Sequence, residues 1–192
     1  MPSTIDKIVD RFPFPSIPPI LGTPDYEKIA EVHLQLNSNA VSVYSKLGNR
    51  SLGLLYLTVL PAVYNTLSAP TFISPSNPGA KSDIPVRSTT AQIYALWYAQ
   101  TTAAKLFEKY DRTKKNLRQN LLLAVDKLFV RSLRHRYASC GTVLTRDISD
   151  HLYAPYSNIS PSDLQENKTH FRSPYDANQP IDTLINQVET DV

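Results

Sequence analysis

Apolar residues recur at helical spacing through most of this chain. Ile29, Val32, Leu36, Ala40, Val43 and Leu47 follow one another at three and four residues. That spacing predicts a helix from Thr23-Pro24 to about Leu47. Thr23 is a good N-cap, Pro24 suits the first helical position, and Asp25 and Glu27 favour the positive end of the helix dipole. Asn37-Ser-Asn is a candidate kink, and Gly48-Asn49 supplies a stop. Leu52 to Leu67 is apolar nearly all round. Tyr56, Thr58, Val59 and Val63 would suit a strand, but a buried helix broken near Pro61 is the expectation.

A long helix is predicted from Thr89 or Thr90, with Ile93, Leu96, Trp97, Ala103, Ala104, Phe107 and Tyr110 on a wide apolar face. A further helix follows from Leu117, Leu121, Leu122, Val125, Leu128, Phe129 and Leu133, with Lys and Arg opposite. Cys140-Gly141 closes that block. Thr145 caps a short helix carrying Ile148 and Leu152, which Pro155 stops near Ala154. Ser160-Pro161-Ser162-Asp163 and Pro180 are start signals for two more helices.

Prolines punctuate this pattern. The chain has 192 residues with 15 Pro and only 5 Gly, which favours helices with extended tracts over a turn-rich β-sandwich. Residues 1–22 read as a Pro-rich arm, either disordered or docked through Phe12, Phe14, Ile17 and Ile20. Residues 70–88 read as a linker or surface loop. The expected architecture is all-α: the arm, a helical domain over 23–157, and the start of a second helical lobe over 158–192.

Charge changes the picture in one place. Residues 105–136 hold ten Lys/Arg and three Asp/Glu, whereas residues 137–192 hold three and eight. A basic middle therefore precedes an acidic tail, a distribution suited to head-to-tail association or to a polyanion. Lys114, Lys115, Arg118, Arg131, Arg134 and Arg136 are the candidates for contact with RNA phosphates; the bland alternative is a solvated helix face. No aromatic motif of an RNA-recognition domain accompanies them. Trp97, with Tyr94, Tyr98 and Tyr110, reads first as core. The alternative is that Trp97 or Tyr98 faces a neighbouring subunit.

Other chemistry finds no support. One cysteine, Cys140, excludes a disulfide framework and a multi-cysteine zinc site. His33, His135, His151 and His170 lack ligand spacing. Asp147, Asp150 and Asp163 suit helix starts better than a catalytic pair. No catalytic residue, metal or cofactor is expected. No apolar run is long enough to span a bilayer, and no signal peptide is visible, so a cytoplasmic location is expected.

Four stretches taken in order, 14–37, 52–65, 124–135 and 145–189, resemble the capsid region of Gag from copia-type LTR retrotransposons. The last includes Leu152-Tyr153-Ala154-Pro155-Tyr156, Ser160-Pro161 and the Pro180 start. The resemblance covers nearly the whole chain and implies a mainly helical structural protein. Such a protein self-assembles around the element's RNA as part of a Gag-Pol polyprotein. The zinc knuckle of a complete Gag is missing, and the final helix is expected to open a second lobe that this chain truncates. A stand-alone helical adaptor or nucleic-acid-binding module derived from a Gag copy is the alternative.

Overall fold

The computed structural model describes residues 11–80, 84–85 and 87–156. The expected helices at Ser160-Pro161 and Pro180, and with them the second lobe, lie outside the described residues, as do the first ten residues of the arm. Compact units divide between Tyr153 and Ala154. Of the second unit only the 3-10 turn Ala154–Tyr156 is described.

Among the described residues the fold is all-α, with four α-helices: α1 (Tyr26–Ser42), α2 (Pro61–Leu67), α3 (Thr90–Ala124) and α4 (Thr145–Tyr153). The core forms where α1, the C-terminal third of α3 and α4 pack against one another. Ile29, Val32, Leu36 and Ala40 enter it from α1, Leu117, Leu121 and Ala124 from α3, and Ile148 and Leu152 from α4.

Helix α1 starts later and stops earlier than its apolar spacing suggests. Asp25, not Thr23, is the N-cap, and its carboxylate accepts the Lys28 amide at 2.8 Å. The helix ends at Ser42, five residues before Leu47. The cause is a crossing segment. Gly53 (φ +52°) lies so close to the end of α1 that a Cβ would sit 2.8 Å from the Ala40 and Val43 oxygens and nearer still to that of Val41. The next amide, Leu54, donates to Ala40 O at 2.9 Å. A tertiary donor thus joins the Val43 cap amide (3.4 Å) on the Ala40 carbonyl.

Leu52–Leu67 is not one broken helix. Two 3-10 turns, Arg50–Leu52 and Leu55–Leu57, precede α2. Pro61 occupies the first turn of α2, where its missing N–H is harmless, so it begins a helix and does not interrupt one.

Helix α3 runs for 35 residues, about 52 Å at 1.5 Å per residue. It replaces the two helices expected from Thr89 to Leu133. A capping box opens it: Thr89 Oγ1 accepts the Gln92 amide at 3.3 Å and Gln92 Oε1 accepts the Thr89 amide at 2.8 Å. It stops at Ala124, whose carbonyl accepts the Ile20 amide of the arm at 2.8 Å. Asp126 then caps the Leu128 amide at 2.8 Å and turns the chain. Leu128, Phe129 and Leu133 therefore lie beyond the helix, in a turn-rich segment.

Both Pro-rich tracts are anchored at their described residues. Phe12 and Ile17 are buried. Asn39, fully buried on α1, clasps the arm by accepting the Phe14 amide (2.8 Å) and donating to the Phe14 carbonyl (2.7 Å). Farther on, Phe72 joins Tyr56, Tyr64 and Tyr110 in an aromatic cluster, stacked on Tyr56 at 4.3 Å. Ile73 donates to Leu47 O at 2.8 Å, and Gln100 of α3 donates to Ala80 O. The segment thus doubles back beside α3 toward the Thr89 cap.

Candidate functional site

Helix α3 buries only one end. Its buried residues, Thr113, Leu117, Asn120, Leu121 and Ala124, all lie in the C-terminal third. The first fifteen residues, Thr90 to Ala104, carry no charged side chain, yet they are mostly exposed. Tyr94 is 68 % exposed, Leu96 45 %, Trp97 52 % and Tyr98 70 %. The reading of Trp97, Tyr94 and Tyr98 as core is therefore overturned. A solvated helix face normally carries charge, and this one carries aromatics. Tyr94 and Trp97 pack edge to face at 6.5 Å. Tyr110, also expected in the core, is half-buried in the aromatic cluster.

A second apolar surface lies on the body. A groove of about 660 Å³ runs between α1 and α2, with Leu34, Val41, Val63 and Leu67 among its walls and no charged residue in its lining. Leu34 is 66 % exposed and Leu67 54 %.

The six basic candidates do not share one helix face. Lys114, Lys115 and Arg118 lie on α3, but Arg131, Arg134 and Arg136 lie after its end. Lys115 is exposed and paired with Asp111 at 2.6 Å. Arg118 is half-buried and donates to Val143 O at 3.4 Å. Lys114 lines a cavity beside the start of α4. Arg131, Arg134 and Arg136 are exposed. Arg136 sits in a tight loop closed by paired amide–carbonyl bonds between His135 and Ser139. Its guanidinium lies 5.4 Å from the ring centroid of Tyr137, and Tyr137 is 83 % exposed. This Arg–Tyr tip is a feature that the spacing of basic residues could not disclose.

Lys109 and Asp150 titrate away from their usual ranges through packing. Burial, assisted by Arg11, lowers Lys109, whose ammonium donates to Tyr44 O at 2.7 Å. Burial raises Asp150, with Asp147 adding to it and His33 and Arg146 opposing.

Sequence reasoning also missed Ser132 beside His151, with Oγ and Nε2 3.0 Å apart. The same Nε2 lies 3.2 Å from the Phe129 carbonyl. A carbonyl only accepts, so the tautomer that bonds Phe129 O has its proton on Nε2 and offers Ser132 no base. Cys140 is buried. Among the described residues no cluster of His, Cys, Asp and Glu could hold a metal ion, and no helix is long and apolar enough to cross a membrane. No protein-family model, curated protein or solved structure matches the chain.

Proposed function

We propose that the protein is a structural, self-associating helical protein of Gag capsid type, built into assemblies through the exposed half of α3 and touching RNA through basic side chains. The observation that carries this reading is the exposed, charge-free aromatic segment Thr90–Ala104. Aromatic residues left exposed on a fold are the usual anchors of an interface. The separate uncharged groove between α1 and α2 supports it further. Two different apolar patches on one chain allow an assembly to grow past a dimer.

Trp97 is the chain's single tryptophan, so its fluorescence reports directly on this surface. Self-association predicts a blue shift of emission as concentration rises, together with a mass above 21.5 kDa in sedimentation equilibrium. Burying the exposed half of a side chain of roughly 200–250 Å² contributes about 3 kcal/mol. Trp97→Glu with Tyr98→Glu should therefore leave a folded monomer. A wild-type chain that stays monomeric with solvated Trp97 at all concentrations refutes the reading.

The Arg136–Tyr137 tip, with exposed Arg131 and Arg134, favours RNA contact and keeps a stand-alone nucleic-acid-binding module as the second reading. That reading predicts a monomer whose RNA affinity falls steeply with salt and drops when Arg131, Arg134 and Arg136 become Glu.

A further inference from the structure

Helix α4 begins beside a cavity of about 210 Å³ that the foregoing reading does not use. Lys114 and Arg146 stand in its lining, and among the described residues Lys114 makes no ion pair. Ser74 and Tyr110 also line it, their hydroxyls 3.5 Å apart at the limit of a hydrogen bond. One of the two donates its only proton in that bond, so the other keeps its donor for a further partner. The decisive residue is Thr145. It lines the cavity, is 2 % exposed, and among the described residues its Oγ1 has no hydrogen-bond partner. An orphaned buried hydroxyl is rare and costly. Here it lies at the first turn of a nine-residue helix, where backbone amides lack intrahelical acceptors and the dipole favours an anion.

We propose that this cavity binds a phosphate group between Lys114, Arg146, the Thr145 hydroxyl and the first-turn amides of α4. The aromatic wall bears on which part of a nucleotide enters. Tyr56 carries Phe72 stacked at 4.3 Å and the Arg146 guanidinium 5.0 Å from its centroid, so both ring faces are taken. A base finds no open face of Tyr56 on which to stack, so the cationic and hydroxyl groups favour the phosphate over the base. Asp147 lies 3.7 Å from Arg146 Nε, which leaves the terminal guanidinium nitrogens for the anion. The proposal extends the RNA half of the reading above and is independent of self-association through α3.

The test is a titration of the ¹⁵N-labelled full chain with inorganic phosphate at constant ionic strength, followed by the amide shifts of Thr145, Arg146 and Asp147. Saturable shifts confined to the start of α4 are expected. Thr145→Val should do two opposite things: raise Tm without phosphate, because the orphan hydroxyl is gone, and weaken phosphate binding about tenfold, the worth of one charge-assisted hydrogen bond. Lys114→Ala should weaken binding similarly, whereas its neighbour Lys115→Ala, already paired with Asp111, should not. Single-stranded oligouridylate that displaces phosphate identifies an RNA phosphodiester as the source. Binding of phosphate without such competition supports the site and assigns it to a free phosphomonoester. Absence of saturable shifts, or equal losses from Lys114→Ala and Lys115→Ala, overturns the proposal.

Discussion

Gly53→Ala is the substitution whose effect the fold determines most directly. At φ +52° and ψ −119° the residue occupies backbone space open almost only to glycine, and an L-residue there costs about 1–3 kcal/mol. Crowding adds to this. The new Cβ would lie 2.8 Å or less from three carbonyl oxygens at the end of α1, all backbone, so no rotamer change relieves the contact. Relief requires moving the Gly53–Leu54 segment off α1, which breaks the Leu54 N–H to Ala40 O bond (2.9 Å), worth about 1 kcal/mol. The total is about 3 kcal/mol, a large share of the ~5–15 kcal/mol that holds a domain together. At roughly 2–4 °C per kcal/mol for a domain of this size, Tm should fall by about 6–12 °C in thermal unfolding followed by circular dichroism. Gly22 supplies the control. It also has positive φ (+77°), but nothing lies within 4 Å of its would-be Cβ, so Gly22→Ala should cost only about 1 kcal/mol. Equal Tm values for the two variants would refute the crowding argument.

Asn39→Ala removes both hydrogen bonds that clasp the arm at Phe14 and should cost about 2–3 kcal/mol. Limited proteolysis should then cut near Phe14 before any global unfolding, and an arm that stays protected would show that Phe12 and Ile17 suffice. Thr89→Ala removes the capping box of α3 at a cost of about 1 kcal/mol. Because that end lacks core contacts, amide exchange should accelerate at residues 93–97 with little change in Tm. The Asp150 carboxyl is raised in the folded state, so its ionised form opposes folding. Its contribution to stability improves as pH falls through the folded value and levels off below about pH 4, where the unfolded chain is protonated too. Asp150→Asn should therefore raise Tm at neutral pH and lose that advantage in acid, which parallel Tm–pH curves would contradict.

Helix starts were the most legible part of the sequence. Thr89 caps its helix as its side chain suggested, and the stop before Pro155 fell within a residue of the end of α4. Thr145, expected as a cap, is instead the first residue of α4, and its hydroxyl caps no amide among the described residues. Ends set by distant partners were not legible. Nothing near Ser42 announces that Gly53 and Leu54 will cross it, and nothing near Ala124 announces that Ile20 will take its carbonyl. The apolar stripe through Leu133 outlasts the helix for that reason. Periodicity likewise marked Ile93, Leu96 and Trp97 as one apolar face but carried no information on whether that face meets its own chain. The cavity at α4 was invisible because Ser74, Tyr110, Lys114 and Thr145 are scattered over some seventy positions.

A helix seated at one end is also a lever. From Leu117, in the core, to Trp97 is about 30 Å along the axis at 1.5 Å per residue. A tilt of ~10° at the seat would carry the tip through about 5 Å, roughly one helical turn. Lys114 and Tyr110, on the wall of the α4 cavity, stand beside that fulcrum. The spacing and curvature of any lattice built through Trp97 would thus amplify small changes in how the core is packed, and substitutions near Leu117 should alter its geometry as well as its stability.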